Sequence, residues 1–204
     1  MKSCRRWVLA AWASAESLSP DGTRILFTQI GETTFANDLM QLRLDDKRVV
    51  IPLVESTFSK NNPSVSPDGR WLAYESTETG EAQIFVQPFP DVSGGRWKVS
   101  TSGGRQPQWA RNGEELFYFD RAGFPTSAQL ETQTTFASAA PKRVLNTRYA
   151  TGGGPWTYDV AADGQRFLML KTVAEGSDTP QAMAPSIVVV LNWQQELKQR
   201  VPTR

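Results

Sequence analysis

The strongest constraint in this sequence is one motif that occurs four times. Leu18-Ser-Pro-Asp-Gly-Thr-Arg-Ile-Leu-Phe27 is followed by Val65-Ser-Pro-Asp-Gly-Arg-Trp-Leu-Ala-Tyr74. The third copy is Trp109-Ala-Arg-Asn-Gly-Glu-Glu-Leu-Phe-Tyr118 and the fourth is Val160-Ala-Ala-Asp-Gly-Gln-Arg-Phe-Leu-Met169. The glycines fall at Gly22, Gly69, Gly113 and Gly164, separated by 47, 44 and 51 residues. A period of this length marks a supersecondary unit that cannot bury its apolar face alone and must stack on its neighbours.

The unit itself is readable. An apolar and a small residue lead into Asp21-Gly22, Asp68-Gly69, Asn112-Gly113 or Asp163-Gly164. Glycine supplies the positive φ of a tight turn, and Asp or Asn bonds back to the nearby backbone. Two mostly polar positions and an apolar triplet follow, as in a buried strand, so each copy is an antiparallel hairpin. Further strands are predicted at 38–44 and 48–54, 82–89 and 96–100, 127–134 and 142–145, and 187–192. No long 3.6-residue period occurs; 194–200 offers at most a terminal helical turn. A hairpin plus two outer strands every ~45 residues is the arithmetic of four-stranded propeller blades. The expected fold is all-β: four blades at about 16–60, 61–103, 104–150 and 155–193, then a tail at 194–204.

These residues carry a resemblance. Ser19-Pro20-Asp21-Gly22 and Ser66-Pro67-Asp68-Gly69 resemble the repeats of TolB-like propellers. The stretch from Trp97 through Gly103-Gly104-Arg105 to Gly113, and the ending Ile187-Val-Val-Val-Leu-Asn-Trp193, resemble C-terminal blades of propellers attached to bacterial, especially acidobacterial, serine/threonine kinases. Such relatives carry six or more blades, whereas four are counted here. Four blades can close into a ring, or they are part of a larger one; we expect the larger ring, because an open array leaves blade faces unpaired. The resemblance implies a sensor or interaction module. It does not transfer kinase activity, since the His-Arg-Asp loop, Asp-Phe-Gly and the nucleotide-covering glycine loop are absent from these 204 residues.

Composition narrows the chemistry. The sequence contains no histidine, which removes Ser-His-Asp and Cys-His catalysis and histidine metal sites from these residues. Cys4 is the only cysteine, so no CxxC pair or internal disulfide exists. A net charge of +1 gives no footprint for nucleic acid. No apolar run approaches the ~18–20 residues of a membrane span. Lys2, Arg5 and Arg6, the apolar run 7–13 and Ala13-Ser14-Ala15 have the form of a short signal peptide, so residues 1–15 read as a leader or a mis-assigned start. The first reading places the chain in the periplasm, the second in the cytoplasm.

Each candidate site has a plainer reading beside it. Asp21, Asp68 and Asp163 could bind metal, but recurrence with Asn112 as a substitute favours turn formation. Gly103-Gly104 and the run 152–154 lack the Gly-Lys-Ser/Thr of a phosphate cradle and read as interblade loops. Asp45-Asp46 and Glu114-Glu115 fall at turns, where solvated charge is the default. Gly-x-Ser-x-Gly and Ser-x-x-Lys do not occur. Among the aromatics, Trp71 and Trp109 suit blade packing, and Tyr74, Tyr118 and Tyr158 stay open. Arg70, Arg96, Trp97, Arg105 and Trp156 form the candidate interaction surface, with Arg111 nearby, because Trp and Arg concentrate at binding hot spots. We expect no catalytic residue, cofactor or metal. The expected partner is a protein or small ligand, with self-association where propeller edges stay open. The alternatives are a stand-alone periplasmic scaffold and a detached piece of a kinase or a propeller-gated peptidase.

Overall fold

The computed structural model of the chain describes residues 13–31, 36–45, 48–133, 135–149, 151 and 156–170, and the backbone of 171 and 186–190. Most of the leader reading, Asp46, the glycine run 152–154 and the tail lie outside these residues.

The described residues form four antiparallel meanders and one short 3-10 turn, Val92–Gly94. The first is β1 (Ala13–Leu18), β2 (Arg24–Ile30), β3 (Asn37–Arg43) and β4 (Val50–Val54), paired in that order. The second is β5 (Lys60–Val65), β6 (Trp71–Ser76), β7 (Gln83–Pro88) and β8 (Trp97–Lys98). The third is β9 (Arg105–Trp109), β10 (Glu115–Phe119) and β11 (Pro125–Glu131), with β12 (Ala137–Ser138) and β13 (Lys142–Arg143) both on β11. The fourth is β14 (Tyr158–Val160), β15 (Phe167–Lys171) and β16 (Ser186–Val190). This is a propeller-like arrangement of four open sheets, here called blades 1 to 4. Ala13-Ser14-Ala15, the small residues of the leader reading, lie in β1 and pair with β2. Among the described residues no helix is long and apolar enough to cross a membrane.

Every motif turn has the same backbone. The amides of Gly22, Gly69, Gly113 and Gly164 donate to the carbonyls of Ser19, Ser66, Ala110 and Ala161 at 2.8–2.9 Å. All four glycines have positive φ, from 65° to 75°, the region a side chain disfavours. In the first two copies a serine adds a second lock. Ser19 Oγ donates to Asp21 Oδ1 (2.5 Å) and accepts from the Arg24 amide (2.9 Å). Ser66 does the same with Asp68 (2.6 Å) and the Trp71 amide (2.9 Å).

The strand after each turn fixes how blades stack. Side chains alternate across a strand, so the third and fifth residues after each glycine share one face and the fourth and sixth the other. Leu26 of blade 1 packs with Leu72 and Tyr74 of blade 2. Ala73 of blade 2 packs with Leu116 and Tyr118 of blade 3. Phe117 and Phe119 of blade 3 pack with Phe167 and Met169 of blade 4. The fourth and sixth positions therefore face the following blade, and the third and fifth face the preceding one. Fully burying each leucine, phenylalanine or methionine in these interfaces is worth about 1.5–3 kcal/mol.

Candidate functional site

The first strands of the blades run side by side, with β5 packed against β1 and β9. Three of them are kinked at the same place. The register with the second strand slips between Ala15 and Ser17, between Asn61 and Ser64, and across Gln106-Pro107. Asn62 and Gln106 each stand seven residues before a turn glycine and precede a proline. Both take positive φ, 51° and 55°, unusual for a residue with a side chain. The slipped residues leave the ladder, so their polar groups bond across to the neighbouring blade.

Those cross-blade bonds, joined by one inside blade 2 from Asn62 to Glu75, form a buried polar line. Glu75 of β6, almost fully buried, accepts from the Gln106 amide at 2.6 Å and from Asn62 Nδ2. Gln106 Oε1 accepts from the Thr157 amide (3.0 Å) and hydroxyl (2.8 Å), while the Tyr158 hydroxyl donates to Gln106 O (2.8 Å). Gln108 Nε2 donates to Tyr158 O (2.8 Å), and Trp109 Nε1 to Ser64 O (3.0 Å). Burial pushes the Glu75 carboxyl above its ordinary value, and the Gln106 and Asn62 amides pull it only partly back. Glu16, at the kink of β1, is raised by burial first, is pulled back by Thr28 and the Asn62 amide, and feels the Glu75 charge. Its Oε2 is buried without a hydrogen-bond partner. Burial and the nearby Asp159 and Glu75 charges hold the Tyr158 hydroxyl well above its usual range.

Beside this line lies a cavity of about 250 Å³ to which all four blades contribute: Glu16 and Ser17, Pro63 to Val65 with Pro67, Gln108 and Trp109, and Trp156. The indole N–H of Trp109 and the amide of Gln108 are committed to interblade bonds, so the cavity meets proline, valine and indole surface with Glu16 at its margin. Among the described residues no group of three or more Cys, Asp or Glu is placed to hold a metal ion.

The five predicted interaction residues do not converge. Trp156 lines the cavity. Arg70 is at the turn end, paired with Asp68 (2.7 Å) and bonded to Thr132 O of blade 3 (3.2 Å). Arg96 pairs with Glu78 (2.5 Å) and lies 4.8 Å from the centroid of the Phe85 ring. Trp97 packs with Trp71 and Phe136 at ring distances of 5.7 and 5.2 Å. Arg105 is exposed on β9. Trp71 and Trp109 sit in the interface between blades 2 and 3. Gly103 has a φ of 73°, and a Cβ on Gly104 would lie 2.5 Å from Ile84 Cγ1, so this pair is a packed interblade link. Sequence reading missed Glu16, Asn62, Glu75 and Gln106; the polar-Pro pair seven residues before the turn glycine was the available signal for Asn62 and Gln106.

Solved structures share this architecture. TolB from Acinetobacter baumannii superposes on 88% of this chain and 41% of its own, at 15% identity and a TM-score of 0.60. A TolB-like protein from Agrobacterium tumefaciens superposes on 86% of this chain and 60% of its own, at 14% identity and a TM-score of 0.62. The likeness is one of fold. A puromycin-hydrolyzing peptidase from Mycobacterium tuberculosis matches 78% of this chain with 28% of its own, at 19% identity and a TM-score of 0.56. The chain thus spans less than two thirds of each of these proteins. They bear out the TolB-like part of the sequence resemblance, as a fold. No protein-family model and no curated protein matches the chain by sequence.

Proposed function

We propose that this chain is a binding module built from four blades of a larger TolB-like ring, and that it recognises a peptide or small ligand at the cavity beside its inner strands. The observation that carries this reading is the cavity itself. All four blades contribute to it, two indoles line it, and its polar side chains at Gln108 and Trp109 are already engaged between blades. Such a surface suits recognition by shape and aromatic contact, and among the described residues its lining sets no second titratable group beside Glu16. The chain's reach over only 41% and 60% of the two TolB-type structures supports its place in a larger ring. Attachment to a receptor kinase rests on the sequence resemblance of the 97–113 and 187–193 segments alone.

The test is selection of displayed peptides against the 204-residue chain, followed by calorimetry with Trp156→Ala. Loss of about tenfold or more in affinity, with the melting transition kept, is the expected result. Unchanged affinity contradicts the reading, as does turnover of a peptide or glycoside panel that Glu16→Gln abolishes.

A further inference from the structure

The three blade interfaces follow one rule, and each end of the array leaves apolar side chains outside it. The fourth and sixth residues after the turn glycine, which face the following blade, are buried in blades 1 to 3: Leu26 and Thr28, Ala73 and Glu75, Phe117 and Phe119. In blade 4 the same positions are Leu168 and Leu170, 45% and 43% exposed. They have no following blade among the described residues. A groove of about 400 Å³ runs beside them, with Trp156 in its wall.

At the opposite end no blade precedes blade 1 among the described residues. The residue four before each turn glycine is Leu18, Val65, Trp109 or Val160. The last three pack into the interface with the blade before. Leu18 is 58% exposed. It heads a cross-strand row, Leu18–Ile25–Leu42–Val50, in which each residue pairs with the next across β1 to β4. Leu42 is buried within its own copy, but the row ends, Leu18 and Val50, are 58% and 41% exposed. Terminal repeats of a stacked array need a polar outer face, yet among the described residues Leu168 and Leu170 at one end and Leu18 and Val50 at the other present apolar side chains to solvent.

We propose that a second copy of this chain covers these surfaces head to tail, the Leu168–Leu170 face of one copy seating against the Leu18–Val50 row of the next. The contact is apolar against apolar, as in the three internal interfaces, and meets blade 1 at this exposed row because Phe27, the fifth residue after its glycine, is already buried within its own copy. It joins sheet faces rather than the strand edges first expected to mediate self-association. A head-to-tail contact makes either a closed ring or an open filament. Two copies supply eight blades, within the range in which propellers close. This rests on the reading of the chain as blades of a larger ring, and does not depend on ligand binding at the cavity.

Sedimentation velocity on the full chain tests it with three proteins: wild type, Leu18→Glu, and Leu168→Glu/Leu170→Glu. The positions are exposed, and far-UV circular dichroism with a thermal melt checks that each variant folds. We expect a wild-type dimer, and a dissociation constant raised about tenfold or more in each variant. Mixing the two variants restores a dimer, because one intact trailing face then meets one intact leading row. A wild type that stays monomeric up to about 100 μM overturns the inference. So does a dimer indifferent to Leu18→Glu, or one that mixing fails to restore, which indicates blade 4 against blade 4. A monomer that still binds peptide through Trp156 sinks this inference and leaves the binding reading standing.

Discussion

The turn ends of the blades and their inner strands use the same chemistry, carboxylates bonded to amides, with opposite consequences. At the turn end Asp21 is solvent-facing. The Ser19 hydroxyl, then the Thr23 amide and hydroxyl, hold its carboxyl down to about 2. Asp68 is pulled upward by partial burial, but Ser66 and Arg70 outweigh this and its pKa is lowered. At the inner strands Glu75 and Glu16 accept or approach similar donors, yet burial dominates and their pKa values rise. Hydrogen bonds win where water still solvates the charge; desolvation wins where it does not. The turns can therefore lose one carboxylate and remain turns, as Asn112 shows by accepting the Glu114 amide at 3.1 Å. The inner line has no such slack, because Glu75 alone serves two buried donors from different strands.

The largest effect is expected at Glu75. Glu75→Ala strands the Gln106 amide and the Asn62 side chain, at a cost of about 2–3 kcal/mol in a urea melt. Glu75→Gln keeps one acceptor and costs less than about 1 kcal/mol. Equal losses for the two variants would show that packing rather than the cross-blade bond matters there. Next is Tyr158→Phe, which removes the bond to Gln106 O and is expected to lower stability by about 1 kcal/mol in the same melt.

A smaller contrast lies within the turns. Ser66→Ala takes an acceptor from the Trp71 amide and a donor from Asp68, for about 0.5–1 kcal/mol. Ala161→Ser installs the same serine in the fourth copy and is expected to gain a few tenths of a kcal/mol. A loss on Ala161→Ser, read by thermal melting, would show that the four turns differ in more than this hydroxyl.

Opposite shifts give opposite pH dependence. The contribution of Asp21 is present above its unfolded value of about 3.9 and is lost as pH falls toward about 2. Protonated Glu75 favours the folded state. That contribution is full below its unfolded value of about 4.3 and is lost as pH rises through the elevated folded one. Asp21→Asn should flatten the stability profile only below about pH 4, and Glu75→Gln only above it. Denaturant melts across pH would expose any exchange of these two windows.

Fold was legible because the four turns state it locally: Asp21-Gly22 followed by Ile25-Leu26-Phe27, or Asn112-Gly113 followed by Leu116-Phe117-Tyr118, encodes both the hairpin and a strand apolar on both faces. Outer strands were legible where apolar, as in Gln83–Pro88, and displaced where polar: the strand expected at 127–134 runs Pro125–Glu131. The short β12 passed unseen, since two small residues carry no period. The site was far less legible. Its polar members come from different blades, and nothing local distinguishes Glu75, buried beside Asn62, from the exposed Glu114. The arginines chosen for composition are spread over separate surfaces by the blade geometry. Only Trp156 reached the cavity, where its neighbours are residues from the other three blades.

The latching of each blade to the next at its kinked inner strand is tested most directly by residue-resolved amide hydrogen exchange. Gln106 and Thr157 donate not to a strand ladder but to the Glu75 and Gln106 side chains of the preceding blade. If these bonds join the blades, both amides exchange as slowly as the ladder amides of Leu116 and Phe117, and Glu75→Ala accelerates Gln106 selectively. Exchange at both sites as fast as the turn amides of Glu114 and Gln165 would contradict latching at these two positions.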